Sequence, residues 1–176
     1  MLEIKSKSDI INKLKERNSE LINWLQNHEN DLFEKGPEGK WTTGEHINHL
    51  IITSKMLNKG LKMPKLVLKT TFGKCNRTER TYEAIVEKYK EKLEAGGTAP
   101  ILFEPKKVFK SEKYRLMQSL KTENEKMITI INKWKETDME IYLLPHPLLG
   151  KLTIKEMLLF TIYHTEHHLT NLKTNY

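Results

Sequence analysis

The chain has 176 residues, of which 38 % are hydrophobic and 30 % are charged, and this balance is expected of one helical domain over residues 1–176. Eight glycines and six prolines are too few for a collagen-like chain, the single Cys75 excludes an intrachain disulfide framework, and no apolar run is long enough to span a bilayer. Residues 1–7 contain no apolar signal-peptide core, so we expect a cytoplasmic protein without a membrane partner.

The first predicted helix covers residues 8–28, where apolar residues recur every three or four positions. Ser8 is the expected N-cap, because serine accepts a hydrogen bond from the free amides of a first helical turn. Residues 34–40 follow, with two glycines and a proline in seven positions, and this composition is typical of a turn. A second helix is therefore expected to begin shortly afterwards.

The second helix is predicted over residues 43–62. Thr42 and Glu45 have the spacing of a capping box, which is a strong signal for a helix start. His49 lies one turn into this helix, beside its apolar face. Pro64 is expected to end or kink the helix, because proline lacks the amide hydrogen that a helix interior needs.

Residues 64–105, here called the crossover segment, separate the second helix from the next long one. Within this segment a short helix is predicted over residues 81–94, whereas residues 70–73 are interpreted as a loop. A connection of this length is usually functional or carries structure of its own.

Most of the positive charge lies between positions 55 and 80, with eight basic residues against one acid. This stretch matches the whole net charge of +7 and would attract anions, although a solvated lysine-rich surface is the simpler interpretation. Phe72 is its single aromatic residue and no binding motif accompanies it, so a nucleic-acid partner is not expected. The basic residues are Lys55, Lys59, Lys62, Lys65, Lys69, Lys74, Arg77 and Arg80.

The C-terminal part of the chain contains two further long helices. Apolar periodicity predicts one over residues 110–134, and residues 141–150, with two prolines, are interpreted as a connector. Thr153 and Glu156 form a second capping-box pattern, which opens a last helix over residues 154–172. Four long amphipathic segments predict an all-α helical bundle.

Histidines on two of these helices suggest a metal site. His164 and His168 are four residues apart, so both imidazoles project from one face of the last helix. With His49 they would provide three nitrogen ligands in the bundle interior and leave other positions open, as catalytic metal sites do. The alternative is that they are buried histidines whose ring nitrogens bond backbone carbonyls and have no further role.

These motifs resemble those of a known family. The upstream pattern Trp-Thr-x-x-Glu-x-x-x-His-Leu ends at Leu50, and the downstream pattern His-x-x-His-His-x-x-Asn ends at Asn171. Together they resemble the DinB-like superfamily, metal-binding four-helix bundles that include the bacillithiol S-transferases and relate to mycothiol-dependent isomerases. Residues 146–153 (His-Pro-Leu-Leu-Gly-Lys-Leu-Thr) also look like a mostly uncharacterised DinB-like branch.

The resemblance implies an up-down-down-up four-helix bundle, in which the crossover segment joins two parallel helices. It implies that His49, His164 and His168 hold a divalent metal ion, with Zn, Ni and Fe all acceptable to imidazoles. Family members typically have glutamine where this chain has Asn171, which leaves the role of this amide open. Many members are homodimers.

We expect from the resemblance a metal-dependent thiol S-transferase that acts on a small-molecule thiol and an electrophile. Met157, Phe160 and the crossover segment are expected to line its substrate pocket. A metal-dependent hydrolase is an alternative, but no base for it is evident in the sequence. A non-catalytic metal-binding protein, acting in a stress response or an interaction, is another.

The remaining candidate residues receive lesser roles. His46 lies three residues before His49, and His167 lies three residues after His164. We expect both to surround the metal rather than bind it. Glu45 is explained by its capping box, and Glu166 is expected to face solvent or an interface. No role is assigned to His28 or Cys75, and a place in a turn is expected for His146.

Overall fold

The computed structural model describes residues 4–29 and 31–176. The expectation that no signal peptide is present concerns residues 1–7, and residues 1–3 of these lie outside the described part. The described chain is mostly helical, with one small two-stranded sheet. Its helices are α1 (Lys7–Asn27), α2 (Thr43–Leu61), α3 (Lys65–Phe72), α4 (Tyr82–Glu94), α5 (Lys113–Asn132), α6 (Glu136–Met139) and α7 (Ile154–Asn175), and its strands are β1 (Leu143–His146) and β2 (Gly150–Thr153).

Capping boxes start three of the long helices. The N-cap of α1 is Ser6 and the prediction of Ser8 is wrong: the Ser6 hydroxyl accepts from the Asp9 amide at 3.1 Å, and the Asp9 carboxylate accepts from the Ser6 amide at 2.9 Å. The reciprocal bond needs an acid three residues after the cap, which Asp9 provides for Ser6. Both boxes expected from the sequence form, at Thr42 with Glu45 and at Thr153 with Glu156.

Helices α2 and α5 pack against each other along much of their length. The Asn58 amide donates to the Glu123 carboxylate at 3.0 Å, and further on the Trp134 indole donates to the Leu61 carbonyl at 3.1 Å. Higher residue numbers on α2 therefore meet higher numbers on and after α5. The two helices thus run in the same direction. Adjacent helices that do so need a long connection, and the crossover segment lies between them in the chain.

The crossover segment is more ordered than its composition indicates. Helix α3 occupies its start and ends at Gly73, whose φ of +88° is the left-handed conformation that glycine adopts readily. Residues 70–72 are therefore helical, and their prediction as a loop is wrong, because the fully buried Leu68 anchors this short helix to the core. Helix α4 begins after its N-cap Thr81, close to the predicted position.

A β-hairpin replaces the predicted connector at 141–150, so the all-α expectation is corrected to a mostly helical fold with a two-stranded sheet. Strands β1 and β2 pair antiparallel, with His146 opposite Gly150. The two prolines favoured a connector, but Pro145 is exposed on a sheet of only two strands and interrupts no central ladder. Buried Leu144 and its partner Leu152 hold the hairpin on the core.

Helix α7 connects two hydrophobic clusters. It contributes Phe160 and Ile162 to the cluster that includes the start of α1, and Leu169 and Leu172 to the cluster that includes the end of α1. The stretch between these two pairs of residues contains the C-terminal histidines. None of the helices in the described part of the chain has the length and apolar run that crossing a bilayer would need.

Candidate metal centre

Three histidine side chains meet where α2 and α7 approach each other. His164 Nε2 lies 3.2 Å from His49 Nε2 and 3.0 Å from His168 Nε2. One ligand nitrogen from each of the three lies within 4.8 Å of the others, so the group could hold a metal ion. All three residues are about 95 % buried. The structure thus brings together the three residues that the sequence singled out, here called the histidine trio.

Contacts at the outer ring nitrogen, Nδ1, orient two of these rings, those of His49 and His168. His49 Nδ1 donates to the carbonyl of Phe103 at 2.7 Å, and since a carbonyl only accepts, the proton of the neutral ring is on Nδ1. Its Nε2 therefore presents a lone pair toward the centre of the trio. His168 Nδ1 contacts His46 Nδ1 at 2.8 Å, which leaves its Nε2 directed at the same point. A hydrogen bond on the outer nitrogen is the usual device for orienting a metal-binding histidine.

The inward nitrogens cannot satisfy one another by hydrogen bonding. His164 Nε2 has two nitrogen neighbours but carries at most one proton or one lone pair in the ring plane. The His49 nitrogen beside it is already a lone pair. Buried polar atoms are costly without partners, and a cation at the centre of the trio would satisfy all three nitrogens. The residues present therefore fit a divalent ion held by three imidazoles.

Burial keeps the trio in the neutral form that metal binding requires. It lowers the pKa of His164 and His168 well below the ordinary value of 6.5, and the neighbouring histidines lower it further. Burial also lowers the pKa of His49, while its bond to the Phe103 carbonyl opposes this shift. The pKa of His46 falls to about 4, again through burial first. At neutral pH these rings are uncharged and available as ligands.

A cavity of about 760 Å³ adjoins the trio, and all three histidines line it. Met157, Phe160 and the crossover segment also line it, as the sequence predicted. The crossover segment contributes Phe72, Tyr89, Leu93 and residues 98–100 and 102–103. The walls are mainly apolar, and no Asp or Glu occurs among the described residues that line them. The metal position therefore opens onto a space large enough for a small organic ligand.

Trp41 and two further histidines, His46 and His167, lie beside the trio. His46 is behind His168, as described above, and the Trp41 ring is parallel to the His168 ring at a centroid separation of 6.3 Å. His167 lines the cavity, and its Nε2 accepts from the Asn171 amide at 3.1 Å. The shorter amide of Asn171 thus reaches His167 rather than a member of the trio. Neither His46 nor His167 belongs to the group whose nitrogens converge.

His146 is a cavity residue that the sequence did not identify. The sequence predicts a turn residue here, but His146 is the last residue of β1 and lines the cavity beside Phe160, with ring centroids 4.3 Å apart. A histidine between two prolines carries no periodic signal, so its position depends on a hairpin that the sequence did not predict. Cys75 lies outside both the trio and the cavity lining, and its thiol donates to the Arg77 carbonyl at 3.3 Å.

Several charged residues have partners that are distant in sequence. Arg77 forms an ion pair with Glu156 at 2.6 Å, and Lys65 forms one with Asp138 at 2.5 Å, so part of the basic stretch is neutralised locally. Lys59 lines the cavity. Glu166 is 40 % exposed at its side chain and lies 3.3 Å from Arg17, so it contacts α1 as well as solvent.

A match to a known protein family is consistent with a metal site formed by the trio. The family model of the DinB superfamily matches residues 5–171, a range that includes all three histidines of the trio. No curated protein and no solved structure matches the chain at a significant level. Because the match covers nearly the whole chain, this protein belongs to the DinB superfamily.

Proposed function

We propose that this protein is a divalent-metal-dependent enzyme with thiol S-transferase chemistry at the histidine trio. The observation that carries the proposal is the convergence of three buried, neutral imidazole nitrogens at the wall of a large apolar cavity. Structural metal sites are usually closed by four protein ligands, whereas three ligands beside a cavity leave room for a substrate. Membership of the DinB superfamily supports the metal.

The residues around the site have defined tasks under this proposal. The Phe103 carbonyl holds the His49 ring so that its Nε2 points at the metal position. A divalent ion held there would act as a Lewis acid that lowers the pKa of a low-molecular-weight thiol and favours the nucleophilic thiolate. Phe160, Met157 and the crossover segment exclude water and bind the apolar part of an electrophile. Lys59 offers a positive charge to a carboxylate of the thiol.

The cavity walls favour this chemistry over hydrolysis. Metal-dependent hydrolases commonly place a carboxylate beside the bound water as a general base. The described lining of this cavity contains no carboxylate, His46 contacts His168 of the trio, and His167 accepts from Asn171. A low-molecular-weight thiol, with an ordinary pKa of about 8.5, can release its proton to bulk solvent once a bound cation lowers that pKa, so it would need no base from the protein. Transfer to an electrophile is therefore the better match.

We also propose the up-down-down-up order for α1, α2, α5 and α7. The side-by-side pairing of α2 with α5 supports it, as does the meeting of His46 with His168 and of His49 with His164, where rising numbers on α2 meet falling numbers on α7. A single domain over residues 1–176, a homodimer and a cytoplasmic location remain predictions.

The test combines metal analysis with a thiol-consumption assay. Protein purified without added metal is expected to contain one divalent ion per chain, and loss of thiol in the presence of an electrophile should stop after chelation and return on metal addition. His49→Ala should lose the ion while its circular dichroism is unchanged; His28→Ala, at the end of α1, is the matched control. Full metal content in His49→Ala would disprove the site. Metal without thiol consumption would favour the non-catalytic metal-binding alternative.

A further inference from the structure

Backbone amides of the hairpin determine which nitrogen of the His146 ring carries the proton. Its Nδ1 accepts the backbone amides of Leu148 at 3.2 Å and Leu149 at 3.1 Å. A backbone N–H only donates, so Nδ1 must be unprotonated and the proton of the neutral ring is on Nε2. The tautomer follows from these two bonds, whatever occupies the cavity.

The orientation of this ring is fixed as well. It packs edge-on against Phe160, at 4.3 Å between centroids and 72° between planes, and lies 6.4 Å from the Tyr89 ring. Pro145 and Pro147 flank it and restrict the backbone on both sides. A side chain held by two hydrogen bonds and an aromatic contact presents its remaining polar atom in one direction.

That remaining atom is unused by the protein. Among the described residues none accepts a hydrogen bond from His146 Nε2, although His146 lines the cavity. Phe160 also stacks on His164, with ring centroids 5.1 Å apart and planes at 21°. His146 and the histidine trio therefore lie on one wall of the cavity, and the phenyl ring of Phe160 contacts both.

We propose that His146 Nε2–H is a specificity-determining donor that binds an uncharged oxygen acceptor, such as a ketone, ester or amide carbonyl, on the substrate. This inference rests on the proposed function in taking the cavity as the substrate site. The aromatic and apolar neighbours of the ring provide no counter-charge, so a buried anion would be costly there, whereas a neutral carbonyl pairs with a neutral donor. Burial lowers the pKa of His146 to about 4, so the ring stays neutral near pH 7.

The first experiment uses the unmodified, metal-loaded protein. Imidazole ¹⁵N–¹H NMR is recorded during titration with acetophenone, which has one carbonyl, and with ethylbenzene, which has nearly the same shape and no acceptor. Acetophenone should move the His146 Nε2–H proton resonance downfield, and ethylbenzene should leave it nearly in place. An equal response to both probes, or binding of acetophenone with no change at His146, would overturn the proposal.

The second experiment separates this donor from the turn that it supports. In His146→Asn the amide oxygen can still accept the two backbone amides, as in an Asx turn, but the amide nitrogen is too close to the backbone to occupy the position of Nε2–H. Acetophenone should bind about fivefold more weakly, the loss expected for one neutral hydrogen bond, and ethylbenzene within about twofold of the unmodified protein. His28→Asn, outside the cavity, should change neither. Unchanged acetophenone binding by folded His146→Asn contradicts the inference.

The two proposals fail separately. If the protein consumes no thiol but acetophenone still selects His146, then the chemistry is wrong and the assignment of the donor stands. If thiol is consumed and the NMR response is the same for both probes, then the donor assignment is wrong and the metal-dependent function stands.

Discussion

Helix α7 carries two buried polar clusters, and they differ in how completely they are satisfied. Near its start the fully buried Glu156 carboxylate accepts from the Arg77 guanidinium through two bonds of 2.6 Å and from the amides of Arg80 at 2.8 Å and Thr153 at 3.0 Å. Further along, His164 and His168 direct their nitrogens at each other and at His49 without enough protons to bond them all.

The difference separates a cluster that the protein satisfies by itself from one that a bound cation would complete. Satisfied buried charges need nothing further, and their role is to hold the capping box, the hairpin and the crossover segment together. The inward nitrogens of the trio, in contrast, have too few hydrogen-bond donors within the protein to satisfy them all. A buried polar group is therefore informative about function when its partner is absent.

The largest effect is expected on metal content. His164→Ala removes the one nitrogen that meets both others, so metal affinity should fall by more than the roughly 10- to 100-fold that loss of an outer partner costs. The unfolding free energy of the metal-free protein should also fall, by about 2 kcal/mol, because His164 is buried and its ring stacks on Phe160. Competition with a chromogenic chelator and urea unfolding measure the two quantities. Unchanged metal affinity in His164→Ala would show that this ring is not a ligand.

At Arg77 the expected effect is smaller, and it is on the stability of the fold rather than on metal content. Arg77→Ala leaves the buried Glu156 carboxylate without its cation, and since the Arg77 side chain is 31 % exposed we expect a loss of about 2 kcal/mol rather than the 3–5 of a fully buried pair. Metal content should be unchanged. Arg115→Ala breaks an exposed ion pair with Glu112 and should cost far less in the same urea experiment, because solvent screens exposed charges. Equal losses in the two variants would contradict the structural role.

The smallest effect is a dependence of stability on pH. Burial raises the pKa of Glu156, but its bonds to Arg77 and to the amides of Arg80 and Thr153 lower it by more, so the net pKa lies below the ordinary 4.5. The unfolded chain then binds a proton more readily, so this contribution is present above pH 4.5 and is lost as the pH falls through the lower folded-state pKa. Each unit of lowering corresponds to about 1.4 kcal/mol.

Glu156→Gln provides the measurement, with urea unfolding of metal-free protein at several pH values. The unmodified protein should be the more stable near pH 6, and the gap between the two should narrow below pH 4.5. A gap that is constant across this range would mean that the carboxylate charge does not stabilise the fold.

Local signals predicted much of the fold and the trio. Capping boxes depend on residues three apart, and the spacing of His164 and His168 depends on a single helix, so both can be identified from the sequence. His49 is 115 positions from His164; its place beside the apolar face of a second bundle helix suggested it as the third ligand, and the resemblance to the DinB-like superfamily supported this. In the crossover segment the sequence predicted α4 but not α3, whose residues 70–72 were interpreted as a loop.

The features that were missed depend on distant contacts. Arg77 and Glu156 are 79 positions apart, and the basic stretch around Arg77 looks like any solvated surface. The hairpin was hidden because prolines favour loops, and its stability comes from burial of leucines against other elements. Since His146 reaches the cavity only through that hairpin, its role could not be found before the hairpin was known.

The bond from His49 to the Phe103 carbonyl has a consequence for how such a protein can change over evolutionary time. Residues 98–100 and 102–103 shape the cavity, and the same short stretch fixes one ring of the trio. An insertion or deletion there that admits a new substrate also moves the carbonyl that orients His49. Under the proposed function, changes in substrate range and retention of the metal would therefore be coupled through this one stretch of chain.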